Sequence, residues 1–136
     1  MLKLRFKMEK QLKIDHFREF TKMINKKYNW TNWRKFPDPR KGDYLCTPFG
    51  CGVYQLHNSK TGEYILFGCG NNLAYRMTSL LPAPYSCGIR NNAEKRDYVL
   101  THINEVEYRT IAFLSKDEMK SCEKELKSYG IHKFST

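Results

Sequence analysis

Apolar side chains recur at two different periods along this chain, and the change between them locates its elements. From about Met8 to Lys27 there is no glycine or proline, and Phe17, Phe20 and Ile24 stand at i, i+3 and i+7 with Leu12, Ile14 and Met23 nearby, the spacing of an amphipathic helix. From Cys51 the period drops to two. CGVYQLHN reads as a strand, SKTGE as a turn with Gly62 where positive φ is wanted, and EYILFGC as a second strand, so residues 51–69 make a β-hairpin. Asn71 or Asn72 then caps a helix, NLAYRMTSLL, which stops at Pro82-Ala83-Pro84. The loop YSCGIR leads to a second helix near Ala93–Ile103, VEYRTIAFL follows as a third strand, and Ser115 or Asp117 caps a final helix, DEMKSCEKELKS, ended by Gly130. These elements predict an α+β fold, a small and mainly antiparallel three-stranded sheet flanked by helices.

Between the first helix and the hairpin, YNWTNWRKFPDPRKGDY alternates Tyr28, Trp30, Trp33 and Phe36 with Arg34, Lys35, Arg40 and Lys41, while Pro37, Pro39 and Gly42 argue for a loop without regular structure. Aromatics interleaved with cations can stack on bases and hold phosphates. The competing reading, favoured for large aromatics beside an amphipathic helix, is that both tryptophans pin that helix to the domain.

Composition narrows the class. A 40% hydrophobic share with 14% aromatics supplies a core despite a mean hydropathy of −0.69, so the 136 residues suit a folded domain. The longest apolar runs, Tyr64–Phe67 and Thr110–Leu114, fall far short of the roughly 18 residues that would span a bilayer, so no membrane insertion is expected. Lys3, Arg5, Lys7 and Lys10 interrupt the start where a signal peptide needs an apolar stretch, and we expect a cytoplasmic protein. Cys46, Cys51, Cys69, Cys87 and Cys122 are odd in number and form no C-x-x-C, which favours reduced thiols over disulfides or a zinc site.

The formal charge of +10 is unevenly placed: residues 1–50 hold 13 basic and 5 acidic side chains, and residues 51–136 hold 11 and 9. Such an asymmetry suits a polyanion-binding arm, since Lys and Arg contacts to phosphates release counterions whatever the base sequence. A solvated helix face that only maintains solubility is the alternative. Two side chains further along sit oddly. Arg76 borders the apolar stripe Leu73, Met77, Leu80 and Leu81; it either snorkels to water or points into a cleft where its fixed donors grip a phosphate. Glu123, four residues after Met119 and three before Leu126, lies at the edge of the buried side of its helix and needs a cation, an arginine or a metal beside it, or a place just outside the core.

Gly52-Val53-Tyr54 in the first hairpin strand, Leu66-Phe67-Gly68 in the second, Asn72-Leu73 followed by Arg76, and Met119 followed by Glu123 together resemble the GIY-YIG nuclease core. The resemblance covers roughly residues 48–128. It divides the chain into a basic helical and aromatic extension, 1–47, and a nuclease-like core, 48–136. Leu66 stands where the family has its second tyrosine, and the family's C-terminal asparagine has no clear counterpart, Ser135 being the nearest position. Tyr64, two residues before Leu66, is expected on the same strand face but further along.

The resemblance implies a metal-dependent endonuclease acting on DNA, with RNA not excluded, in a bacterial or phage-like cytoplasm. Tyr54, Arg76 and Glu123 become the catalytic residues: Glu123 holds one Mg²⁺ or Mn²⁺, Arg76 braces the scissile phosphate, and Tyr54 orients or deprotonates the water. His57 lies on the opposite strand face from Tyr54 and is an unsuitable base. Arg34, Lys35, Arg40, Lys41, Tyr75, Arg90, Lys95, Arg96 and Lys120 are candidates for nucleic-acid contacts. A non-catalytic nucleic-acid-binding module on the same fold is the alternative, and Leu66 favours it.

Overall fold

The computed structural model describes residues 2–82, 85 and 92–134. In chain order these form α1 (Leu2–Lys27), β1 (Arg34–Lys35), a 3-10 turn (Pro39–Lys41), β2 (Gly52–Asn58), β3 (Tyr64–Gly70), α2 (Leu73–Thr78), α3 (Ala93–Thr101), β4 (Val106–Ala112) and α4 (Lys116–Ser128). The sheet is antiparallel throughout, in the order β1-β4-β2-β3. The expected three strands are therefore joined by a fourth. β1 pairs Arg34 with Tyr108 and Lys35 with Glu107, inside the segment expected to be an irregular loop. Two residues are too few to show a period, and Pro37 and Pro39 follow the strand instead of interrupting it.

Period-two alternation divides the sheet between two cores. Tyr54, Leu56, Leu66 and Tyr108 face Leu73 and Met77 of α2 and Val99 of α3. Val53, Phe67, Cys69 and Ile111 face Phe20 and Ile24 of α1 and Met119, Cys122 and Leu126 of α4. The register slips between Leu56 and His57, opposite the Tyr64–Leu66 stretch. Ile65 and Leu66 consequently share one core while Tyr64 turns to the other, so Tyr64 does not share a face with Leu66 as strict alternation requires. The Tyr64 hydroxyl is instead 2.9 Å from Thr21 Oγ1, tying β3 to α1.

Turn chemistry follows the sequence closely. Gly62 takes φ 77° in the hairpin turn and Gly130 takes φ 60° after α4. Asn72 Oδ1 accepts from the Tyr75 N–H at 3.1 Å and Ser115 Oγ from the Glu118 N–H at 3.1 Å, capping α2 and α4. α2 is shorter than its apolar pattern suggests: it ends at Thr78, yet Leu80 and Leu81 still reach the core through the turn that follows.

Trp30 ties the end of the helix to the domain, and Trp33 ties the following segment to β2. Trp30 Nε1 donates to the Ile24 carbonyl at 3.2 Å, and Trp33 stacks on His57 with ring centroids 3.5 Å apart. Residues 2–16 of α1 are exposed, whereas Phe20 and Ile24 are fully buried. Removing residues 2–13 should therefore leave the urea midpoint unchanged, while Ile24→Ala should lose about 2–5 kcal/mol; equal effects in the two denaturation curves would contradict this division of α1.

Candidate functional site

β3 ends in Gly68-Cys69-Gly70, and the two glycines let neighbours come close. A Cβ on Gly70 would lie 3.2 Å from the Arg76 Cβ, so the missing side chain admits the first turn of α2 against the strand end. The Asn72 cap fixes that turn, and Arg76 then reaches back. Its Nε donates to the Cys69 carbonyl at 3.2 Å, and its buried Nη1 has no partner among the described residues. A guanidinium held by one nitrogen with another unsatisfied is prepared for an anionic oxygen.

Glu123 arrives from the opposite face of the sheet. Met119, Cys122 and Leu126 bury one side of α4, which leaves Glu123 at the margin of the core, half-buried. The Cys69 thiol donates to its carboxylate. Burial first, then the hydrogen bond to Glu123 and its charge, push the Cys69 thiol up to about 11, against the opposing charges of Lys120 and Arg76. Arg76, Lys120 and Glu123 thus gather around one residue at the end of β3.

Among the described residues no salt bridge engages Glu123, and no group of three or more His, Cys, Asp or Glu side chains is clustered to hold a metal. A divalent ion held at this one half-buried carboxylate would keep most of its water, with Arg76 and Lys120 close to the same strand end.

Tyr54 stands apart from this group. It pairs with Gly68, one residue before Cys69, so alternation places its ring on the α2 side, beneath the strand whose other face carries the Cys69 thiol. It is 2% exposed, and a Cβ on Gly68 would meet its ring atoms at 2.6 Å. Leu66, in the position of the family's second tyrosine, is a fully buried core residue.

The remaining candidates scatter. Arg34 and Lys35 line an open cleft of about 390 Å³ with Tyr44, Cys46 and Tyr108 on the β1 edge. Arg40 forms a two-pronged pair with Asp38 at 2.9 and 3.0 Å, which commits it to the turn; Lys41 beside it is exposed. Tyr75 is 57% exposed on α2, close in sequence to Arg76. Arg96 Nη1 donates to the Ser79 carbonyl at 3.3 Å and so joins α3 to the end of α2, with Lys95 half-buried beside it. Arg90 and Ser135 lie outside the described residues.

A second polar group went unread in the sequence. Arg109 on β4 is 5% exposed, with Trp30 and Trp33 rings 4.5 and 4.4 Å from its guanidinium carbon. Its Nε donates to Gln55 Oε1 at 2.9 Å, and Gln55 Nε2 donates onward to His132 Nε2 at 3.0 Å. Burial lowers Arg109 to about 10 and, with the charge of Arg109, lowers His132 to about 4. His57, stacked on Trp33, lies 2.7 Å from Glu107, away from Tyr54 as its strand position requires.

No family model, curated protein or solved structure matches this chain.

The His132 environment sets a pH dependence. A histidine with its folded pKa below the ordinary 6.5 is held neutral by the fold, so its contribution is complete above pH 6.5 and is lost as pH falls toward about 4. That loss should be roughly 3 kcal/mol. Denaturation midpoints measured across this range should fall in the wild type and fall less in His132→Phe; parallel curves would contradict the assignment.

Proposed function

We propose that this chain is a metal-dependent endonuclease of the GIY-YIG type, hydrolysing phosphodiester bonds of DNA. The observation that carries the reading is the meeting of Arg76 and Glu123, borne by helices on opposite faces of the sheet, at Cys69 on the end of the strand that contains Leu66-Phe67-Gly68. Phosphodiester hydrolysis requires an activated water, neutralisation of charge growing on the phosphoryl oxygens, and relief of charge on the departing 3′ oxygen. Arg76 answers the second need: among the described residues its Nη1 has no partner, and a phosphate oxygen would supply one. Mg²⁺ or Mn²⁺ bound at the Glu123 carboxylate supplies the third. Lys120, exposed on α4, adds positive charge toward the incoming strand. Tyr54 orients the water; with 2% of its surface exposed, the reading requires its contact with Gly68 to open when substrate binds.

The exposed half of α1 carries Lys3, Arg5, Lys7, Lys10 and Lys13 and serves as a basic arm along the phosphate backbone. The half-buried tryptophans are engaged with Arg109 and are not assigned to that arm. A second reading, a nucleic-acid-binding module that does not cut, is favoured by the burial of Tyr54 and by Leu66 in the core.

The test incubates the full chain with plasmid, linear, branched and single-stranded DNA, and with RNA, in Mg²⁺, Mn²⁺ or EDTA. Cutting should require metal, vanish in Glu123→Ala with binding largely retained, and drop by about 10²-fold or more in Arg76→Ala. Full activity in both variants would sink the mechanism, and binding without cutting in every metal would leave the second reading standing. Removing residues 2–13 should flatten the dependence of log affinity on log salt by about 0.9 for each phosphate that the arm neutralises; an unchanged slope would show that the arm does not touch the backbone.

A further inference from the structure

We propose that the cleft over Arg109 is a binding site for a small carboxylate, which the guanidinium holds through its two Nη atoms. The inference stands apart from the proposed function, since it uses neither the Arg76 and Glu123 group nor the basic half of α1. The cleft has a volume of about 270 Å³ and lies where the end of α1 meets the segment leading into β1. Asn25, Asn29 and Asn32 are exposed at its rim, Trp30 and Trp33 are half-buried in its walls, and Arg109, 5% exposed, lies at its bottom.

Arg109 is fixed in this place from one side. β4 pairs it with Gln55 of β2, whose Oε1 accepts from Nε at 2.9 Å, and the other end of the same amide is held by His132 Nε2 at 3.0 Å. The opposite edge of the guanidinium is uncommitted. Among the described residues nothing accepts from Nη1 or Nη2, Nη2 is buried, and no ion pair includes Arg109. The two indole rings attract the cation but leave those N–H groups without an acceptor. Burial holds the Arg109 pKa down to about 10, as befits a charge taken out of water with no carboxylate of the protein beside it.

The class of ligand follows from what surrounds this edge. Paired N–H groups in one plane match two oxygens on one atom. Among the described residues no second cation lines the cleft, so a single negative charge is what the site balances, and a dianionic phosphate is too highly charged for it. Nη2 is closed off beside the flat indole rings, which give way more readily to a planar carboxylate lying in the guanidinium plane than to a tetrahedral phosphodiester with a substituent on either side. The rim amides both donate and accept, which suits a polar remainder on the ligand. A carboxylate seated there meets a cation already desolvated and oriented, so less of its attraction is spent on reorganisation.

The chain has two tryptophans and both wall this cleft, so their indole N–H resonances report on it directly. The experiment titrates sodium acetate into the full-length protein, with sodium chloride keeping ionic strength constant, and follows the two indole peaks and the Arg109 Nε–H peak in ¹H–¹⁵N spectra. All three should move with one shared, saturating midpoint. Sodium dimethyl phosphate, a monoanion with the same pair of oxygens, should bind more weakly. In Arg109→Gln the acetate affinity should fall by about tenfold or more, while Lys124→Gln, an exposed substitution on α4, should leave it unchanged. Because Arg109→Gln can disturb the packing of the indoles, the wild type alone also decides: an Arg109 Nε–H peak that stays still while the indole peaks move would overturn the proposal. So would indole shifts that never saturate, equal or tighter binding of dimethyl phosphate, or undiminished affinity in Arg109→Gln. No readout involves cleavage, so the outcome is independent of whether the chain cuts DNA.

Discussion

Strand β2 has almost no face turned to water, and the rest of the molecule is arranged around that constraint. Its residues are buried from Gly52 to Leu56 and again at Asn58, paired on one edge by β3 and on the other by β4. A strand buried on both faces requires cover on both. α2 and α3 supply one layer, and α1 with α4 supplies the other. The candidate site is a consequence: Arg76 comes from one layer, Glu123 from the other, and they meet where β3 emerges from between them.

The same constraint turns half of the basic segment into core. Phe20 and Ile24 cover the sheet, and β1 adds an edge strand to β4. Positive charge near this cover is costly unless accommodated, and Arg109 shows how it is done without a carboxylate. Two indole faces take the place of an anion, Gln55 accepts from Nε, and His132 remains neutral at the far end of the hydrogen-bonded row. Trp30 and Trp33 therefore satisfy an internal cation and are engaged there.

Cys69 is the point at which fold and proposed chemistry touch. Its carbonyl receives Arg76, its thiol engages Glu123, and its place between Gly68 and Gly70 lets a tyrosine ring pack beneath it and a helix turn beside it. A single residue thus touches side chains borne by both helices, Arg76 through its carbonyl and Glu123 through its thiol.

Much of this was written in local sequence. Hairpin, caps and the positions of Arg76 and Glu123 on their helices follow from period and from short-range hydrogen bonding, which involve residues within a few positions of one another: Asn72 with Tyr75, Ser115 with Glu118, Gly62 with its own φ. What sequence could not supply are contacts between residues far apart in the chain. A two-residue strand at Arg34–Lys35 exists only because β4 is there to pair with it, and the turning of Tyr64 away from Leu66 exists only because one extra residue bulges opposite Leu56. The meeting of Cys69 with Glu123 and the enclosure of Arg109 by Trp30 and Trp33 are likewise products of sheet and helix packing. Periodicity records which face a residue occupies; only the assembled layers decide what that face meets.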